Sequence, residues 1–523
     1  MKKYAFLLFV VSVAFAQKDF DKNASKGLKS ITANDLRAHL TFLASDELEG
    51  RETTFRGQKV AAQYISSVFR KLGLKPAGKD ASYLQPFELD VVKPSTASSL
   101  RLISAAGSTA YAFGKDFFTT AAKDTMFSAP LVFAGFMDTP ITPEQEAALM
   151  DRIVVIFAGR RSDVLNPTPS GPRRGGFRFF RSAAAVIVIS DEVTQGAIEE
   201  QIKTFANAFQ KGSMSLKGVS RRGRGQITLT VSSALGTALL AELGMPLPDL
   251  RMKAAKDSTA GPMPLTKTSV TLDLKALREI KTSENVAAIL EGSDPTLKDE
   301  YVILTAHYDH VGVSAATGEV YNGADDDGSG TSMILELAEA FVSNPVKPKR
   351  SLVFMTVAGE EKGLLGSSYY VQNPLAPLER TVANLNIDMI GRIDKKHEKA
   401  KSPAYVYVIG SDKISTELDS VLQSANDQTS RLLLDYEYND DNDPNQFYRR
   451  SDHYNFARNG IPIVFYFTGI HDDYHRPTDT VEKIEFDRMV KVGQLIYATA
   501  WKAANFKRPF VKNGKPSAYS SER

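Results

Sequence analysis

Apolar positions recur three and four residues apart along Asp35–Leu43 and again along Val60–Leu72, where Gly73 is placed to end the run. Ile31–Leu74 therefore reads mainly as helix, interrupted by the polar loop Asp46-Glu-Leu-Glu-Gly-Arg-Glu. From about Ser95 to Ala276 the rhythm shortens to β-like runs at Leu131–Ala134, Ile153–Ala158, Ala185–Ser190 and Ile227–Val231, separated by segments rich in Gly, Pro, Ser and Arg. From about Val286 strand and helix alternate. Tyr301–Ala306, Ser351–Val357, Val382–Met389, Ala404–Ile409 and Ile461–Phe467 read as strands, and Gly330–Val342, Leu364–Gln372, Thr416–Ala425 and Asp487–Ala504 as helices. This alternation predicts an α/β fold: a three-layer sandwich around a mixed, mostly parallel sheet, with a β-rich domain inserted ahead of most of it. No internal repeat is visible, and the basic tail after Phe506 reads as frayed.

At 523 residues the chain has room for more than one domain. A composition of 43% hydrophobic and 24% charged residues describes a soluble globular protein, against long disorder or a membrane bundle. The N-terminus reads as an export signal: Lys2 and Lys3, an apolar run from Tyr4 to Val13, and Ala14-Phe15-Ala16 as a small-x-small cleavage site before Gln17. The run is short for a membrane span, which needs about 20 residues. Loss of Lys2 and Lys3 takes the formal charge from +3 to +1, so bulk charge gives no argument for nucleic-acid binding. The absence of cysteine removes disulfides, thiolate chemistry and lipoprotein acylation together, and leaves any metal to His, Asp and Glu.

Those residue types gather at strand ends. His307 and Asp309 follow Tyr301–Ala306, and Asp325, Asp326 and Asp327 fill a Gly-rich turn before a helix. Glu360 and Glu361 follow Ser351–Val357, Asp388 ends the strand from Val382, and His475 lies a short loop beyond Ile461–Phe467. In open α/β sheets ligands bind outside the C-terminal ends of the strands, and so many charges near a core edge are costly unless something gathers them. Two imidazoles with three or four carboxylates and no thiolate suit Zn²⁺, with Mn²⁺ or Co²⁺ as substitutes. One ion does not need this many ligands; two ions sharing a bridging carboxylate do.

The runs His307-Tyr-Asp, Gly323-Ala-Asp-Asp-Asp-Gly-Ser-Gly, Glu360-Glu-x-Gly-Leu-x-Gly-Ser, Asn386-Ile-Asp-Met-Ile-Gly, Ser451-Asp-His and Tyr474-His-x-Pro-x-Asp-Thr, in this order, resemble the bacterial di-zinc aminopeptidases, family twenty-eight of the metallopeptidases. Leu43-Ala-Ser-Asp-Glu-Leu-Glu-Gly-Arg and Ala61-Ala-Gln-Tyr-Ile resemble the segment that opens that fold. The resemblance covers about residues 30–90 and 280–505, and the β-rich insert is similar to a protease-associated domain by position. Together with the N-terminal signal and the basic tail, it divides the chain into a signal peptide at 1–16, the N-terminal part of a peptidase domain at 17–95, the insert at 96–276, the catalytic zinc peptidase domain at 277–508 and a tail at 509–523. It further implies two Zn²⁺ per chain, with Asp326 bridging, His307 and Asp388 completing one ion, and Glu361 and His475 completing the other. Glu360 would be the general base, and the peptide bond after Asp326 would be cis. Asp309 would accept the second N–H of His307, and Tyr474 would donate to the oxyanion. The implied substrates are peptides with a free N-terminus, met outside the cytoplasm.

Other groups read differently. Asp325 and Asp327 are turn formers, His310 is structural, and Asp452 and His453 either shape the substrate pocket or open a helix. His471, Asp472 and Asp473 are loop residues near the site; His39 and His397 are surface or core residues. Arg173, Arg174, Arg178 and Arg181 among Phe177, Phe179 and Phe180, with Arg221, Arg222 and Arg224, read as solvated loops rather than a polyanion site. Three rivals keep the fold. A carboxypeptidase or dipeptidase would use Arg392 or Arg450 to receive a C-terminal carboxylate. A one-zinc glutaminyl cyclase fits poorly with two complete ligand sets. A non-catalytic receptor predicts gaps among the ligands, and none is found.

Overall fold

The computed structural model describes residues 20–136, 142–165, 180, 182–190, 197–219, 226–257, 262–402 and 404–514. The expected signal segment and the arginines of the two Arg-rich stretches lie outside these residues. The chain divides into two units, one of residues 1–87, 283–313 and 320–523, the other of residues 88–282 and 314–319.

The first unit is built on a sheet whose principal strands are β1 (Ala276–Leu290, within this unit from Ser283), β2 (Tyr301–His307), β3 (Ser351–Val357), β4 (Thr381–Ile387), β5 (Tyr405–Ile409), β6 (Leu433–Asp435) and β7 (Ile463–Phe467). Their order across the sheet is β6-β5-β7-β4-β2-β3-β1. The four central strands run parallel, with Tyr301 opposite Ser351 and His307 opposite Val357 in the β2–β3 register, while β1 and β5 pair antiparallel to their neighbours β3 and β7. Parallel strands covered on both faces read as unbroken apolar runs, and β3, β4 and β7 are buried at every position. Because the four central strands point the same way, their C-terminal ends lie along one edge of the sheet.

The main helices of this unit are α1 (Ala33–Leu43), α2 (Arg56–Lys71), α3 (Gly330–Ser343), α4 (Leu365–Gln372), α5 (Thr416–Gln428), α6 (His453–Arg458) and α7 (Phe486–Ala504). Thr32 caps α1 by accepting the N–H of Asp35. α3 is buried almost throughout and touches β2 and β3, and α7 touches β2 and β4. Tyr370 of α4 and Phe456 of α6 pack with Ile303, Val353, Met355 and Ile463 in a separate apolar cluster. Beyond α7 the chain is docked as far as Gly514, contrary to the frayed tail expected from Phe506 onward. Phe510 is 5% exposed, the N–H of Val511 donates to Glu417 at 2.8 Å, and that of Gly514 to the carbonyl of Ile414 at 2.9 Å.

The second unit carries a mixed eight-stranded sheet. Its central parallel strands Thr125–Phe133, Ile153–Phe157, Ala185–Ile189 and Thr228–Val231 are flanked by antiparallel pairs that include Ser99–Ser104 and Met263–Leu274. Leu131, Val155, Ile187 and Leu229 form its core with Leu235, Leu239 and Leu250 from the helices Ser233–Leu239 and Leu247–Lys256. Helices therefore contribute to a region whose sequence shows mainly strand rhythm.

Candidate metal centre

The parallel edge of the first unit brings every expected ligand to one place. His307, the last residue of β2, has Nε2 3.2 Å from Asp326 Oδ1 and 3.7 Å from Asp388 Oδ1. His475 Nε2 lies 3.0 Å from the other oxygen of Asp326 and 3.1 Å from Glu361 Oε1. Asp326 thus turns one oxygen toward each of two groups, His307–Asp326–Asp388 and His310–Asp326–Glu361–His475, whose ligand atoms lie within 4.8 Å of one another. The Asp326–Asp327 peptide bond is cis. Met389, next to Asp388, and His475 both hold positive φ, 55° and 53°, a strained backbone of the kind that clusters at functional sites.

Sequence reasoning missed His310. Read as structural, it is fully buried with Nδ1 2.9 Å from Glu361 Oε1 and 3.7 Å from Asp326 Oδ2. His310 lies beyond the end of β2, and the strand-end position that marked His307 did not extend to it. The closeness of these groups is not hydrogen bonding. His310 Nδ1, Glu361 Oε1 and His475 Nε2 are buried without a hydrogen-bond partner among the described residues. Such atoms converging without bonding one another fit a shared cation, and two imidazoles with two carboxylates suit zinc.

Asp309 corrects one expectation. The Nδ1–H of His307 donates to the backbone carbonyl of Asp309 at 3.0 Å, and the carboxylate stands 3.8 Å away. That carboxylate instead accepts from Thr53 Oγ1 at 2.6 Å and from the backbone N–H of Glu360 at 3.2 Å. The main chain of Asp309 fixes the His307 ring, while its side chain ties β2 to the turn that follows β3.

The neighbouring aspartates are scaffold. Asp327 accepts the N–H groups of Gly330, Met389 and His307, at 2.9, 3.1 and 3.2 Å. Asp325 accepts the N–H of Gly391 at 2.6 Å and faces His471 at 3.2 Å. Asp388 is held from behind by Ser451, whose hydroxyl donates to Oδ2 at 2.6 Å. Asp452 is fully buried and accepts the Ser367 hydroxyl; burial, with Asp309 and Asp388 nearby, pushes its carboxyl up to about 7. His453 lies on Phe465 and bonds the Tyr448 carbonyl at 2.9 Å, and burial lowers its pKa to about 3. His39 bonds the hydroxyl of Tyr64 at 2.8 Å, and His397 pairs with Asp394 in the core, both away from the cluster.

Electrostatics divides the two glutamates. Burial raises the proton affinity of Glu360 well above the carboxylate range, and Glu361, Asp388 and Asp452 reinforce it against the pull of His307. Burial and Asp326 push Glu361 the same way, but His310 and His475 outweigh them and hold it at about 2. Adjacent carboxyls thus differ, one drawn toward the ionised form by imidazoles and the other raised in proton affinity by burial and neighbouring carboxylates. Burial, then Asp326 and Glu361, raises the Tyr474 phenol, whose ring stacks on His475 with centroids 3.9 Å apart. Glu360, Tyr474, His307, Asp326 and Asp388 line an open pocket walled by Met389, Phe447, Phe465, Phe467 and Ile470, with Arg450 among its lining residues.

The cluster lies wholly in a segment with known relatives. Residues 285–500 match Peptidase family M28. Aminopeptidase YwaD of Bacillus subtilis (strain 168) is 32% identical over 240 residues, covering 45% of this chain and 47% of YwaD. The chain spans about half the length of the curated relatives it matches. Among solved structures, an aminopeptidase from Aneurinibacillus sp. strain AM-1 shares the fold at 19% identity and a TM-score of 0.55, over 94% of this chain and 98% of that one. BSAP, a zinc aminopeptidase from Bacillus subtilis, shares it at 22% identity and a TM-score of 0.50, over 90% and 95%.

Proposed function

We propose that the chain is a zinc-dependent aminopeptidase that hydrolyses the first peptide bond of a peptide, with two zinc ions sharing Asp326. The observation that carries this reading is Asp326 itself, one oxygen 3.2 Å from His307 and the other 3.0 Å from His475. His307 and Asp388 would hold one ion, and Glu361 and His475, with His310 beside them, the other. Bound there, the ions supply Lewis acidity and lower the pKa of a water toward neutrality.

The chain's own residues do the rest. Glu360 stands in the pocket among other carboxylates, which favours taking a proton from the attacking water and giving it to the leaving amine. Asp309 orients that glutamate through its backbone N–H and the His307 ring through its own carbonyl. Tyr474, kept protonated beside His475, serves as donor to the developing oxyanion. The walls of Phe447, Phe465, Phe467 and Ile470 suit an apolar first side chain.

Arg392 is committed to Asp473 at 3.0 Å, while Arg450 lines the pocket and keeps a carboxypeptidase as the alternative reading. We further read the first unit as a three-layer sandwich, the second as a protease-associated-like insertion, and the first 16 residues as an export signal that delivers the enzyme to the periplasm or the medium. Hydrolysis of aminoacyl-anilides and N-blocked peptides by purified protein, with and without chelator, tests the activity. Chelator-sensitive release from free N-termini alone is expected; cleavage of blocked peptides, or no activity after zinc is restored, overturns it.

A further inference from the structure

The loop between α1 and α2 reads in the sequence as polar and as part of the segment that resembles the opening of the family's fold, with no role given to its Arg51. In the structure it is 1% exposed. Its guanidinium donates four hydrogen bonds, all to backbone carbonyls: Leu43 at 2.6 Å, Tyr308 at 2.8 Å, Asn322 at 2.6 Å and Gly323 at 2.9 Å. Tyr308 lies between His307 and Asp309, and Asn322 and Gly323 open the turn that carries Asp326. One side chain therefore spans two of the loops that present metal-site residues.

Its neighbours reach the others. Thr53 Oγ1 donates to Asp309 Oδ2 at 2.6 Å, and Glu52 pairs with Lys362, which follows Glu361, at 2.5 Å. The backbone N–H of His310 donates to the carbonyl of Arg51 at 3.2 Å, and Asn322 donates to Asp46 at 2.7 Å and to the Ala44 carbonyl at 2.9 Å. The backbone is strained to fit: φ is 50° at Glu49, 61° at Gly50, 50° at Arg51 and 73° at Thr54. A side chain at Gly50 would meet the Tyr321 carbonyl oxygen at 2.4 Å. Strain and a buried cation, both costly, persist where surrounding contacts over-determine them. The guanidinium also stands in the field of Asp326, Asp327, Asp309 and Asp479, whose charges it offsets.

We propose that Gly50–Thr54, outside the family-matched segment, is a clasp that pre-forms the metal-binding loops, with Arg51 and Thr53 as its positioning residues. This rests on the metal-centre reading above. Neither residue touches substrate; both act through the backbone and second contacts of ligands, where loss of such a partner weakens metal binding by about 10–100-fold.

The test is zinc affinity by chelator-competition titration of the full chain, for the native protein and for Arg51→Lys and Thr53→Val, with thermal unfolding, kcat and KM alongside. Lysine keeps the charge but cannot reproduce the four-bond fork; valine keeps the shape of threonine and loses one hydroxyl. The expected result is zinc affinity reduced at least about tenfold in both, kcat reduced in step, and KM and the melting temperature of Thr53→Val little changed, a pattern that general destabilisation does not give. Should Arg51→Lys fail to fold, Thr53→Val decides alone. Folded variants whose zinc affinities match the native protein overturn the clasp while leaving the metal centre standing. A native chain that takes up no zinc overturns the metal centre itself, and the clasp with it.

Discussion

Asp309 Oδ1 accepts the backbone N–H of Glu360 at 3.2 Å and so ties the strand end that carries His307 to the turn that carries both glutamates. Asp309→Asn keeps a side-chain oxygen for that N–H and leaves untouched the backbone carbonyl that orients His307. The variant should therefore bind zinc within about tenfold of the native protein, below the usual cost of losing a ligand's own partner, while Asp309→Ala loses more. Calorimetric zinc titration of the pair checks this. Equal losses in both would mean that the carboxylate charge, and not the oxygen position, is what matters.

Glu360 is the group assigned to carry the proton, and no ligand atom of either cluster belongs to it. Glu360→Gln should retain full metal content by elemental analysis and lose turnover by a factor of about 10²–10⁴, the range for a positioned acid–base. Near-normal kcat with intact metal would remove Glu360 from the mechanism.

How much of this was legible in the sequence differs by level. The parallel strands announced themselves as unbroken apolar runs because they are covered on both faces, and the His and carboxylate residues near their ends were visible as candidates, while their division between two ions came from the family resemblance. His307, Asp326, Glu361, Asp388 and His475 are brought together as expected. What was hidden depends on contacts between distant segments. His310 belongs to the cluster only because Glu361, from the turn after β3, meets it at 2.9 Å, and Arg51 is buried only because carbonyls from Leu43 to Gly323 converge on it. No local pattern encodes either. The docked tail was missed for the same reason: Glu417, on α5, receives Arg508 and the N–H of Val511.

Gly323 shows how tightly the turn is set. It holds φ +58°, and a Cβ there would lie 2.3 Å from the carbonyl oxygen of Asp326 and 2.5 Å from Cδ2 of His310. Gly323→Ala should cost about 1–3 kcal/mol from backbone strain alone, and displacement of His310 and Asp326 should weaken zinc binding as well. Gly318→Ala is the control: it shares a positive φ, 77°, but a Cβ meets nothing within 4 Å, so stability should fall by the same strain of about 1–3 kcal/mol and turnover not at all. Thermal unfolding and kcat of the two variants separate strain from collision.

Metal removal should be visible without substrate. Ions that bind only the folded chain stabilise it by about 4 kcal/mol when free zinc stands a thousandfold above Kd. The melting temperature should therefore fall by several degrees on chelation and recover when zinc is restored. A transition indifferent to zinc would overturn the proposed metal centre at Asp326, Glu361 and Asp388.

Glu336 on α3 provides a pH dependence away from the centre. It is 2% exposed; Oε1 accepts the N–H of Thr32 at 3.0 Å, and Oε2 has no hydrogen-bond partner among the described residues. Burial, with Asp35 and Glu339 near it, raises its pKa from 4.5 to about 7. Between those values the folded state holds a proton that the unfolded state has released, so raising the pH removes stability. The contribution is fully present below pH 4.5, declines through about 7, and stays absent above. Glu336→Gln keeps an acceptor for Thr32 and cannot ionise. At pH 8 it should be more stable than the native chain by about 1–3 kcal/mol, and at pH 4.5 the difference should vanish. Urea unfolding of both proteins at the two pH values checks this, and a constant difference across them would show that Glu336 remains ionised in its pocket.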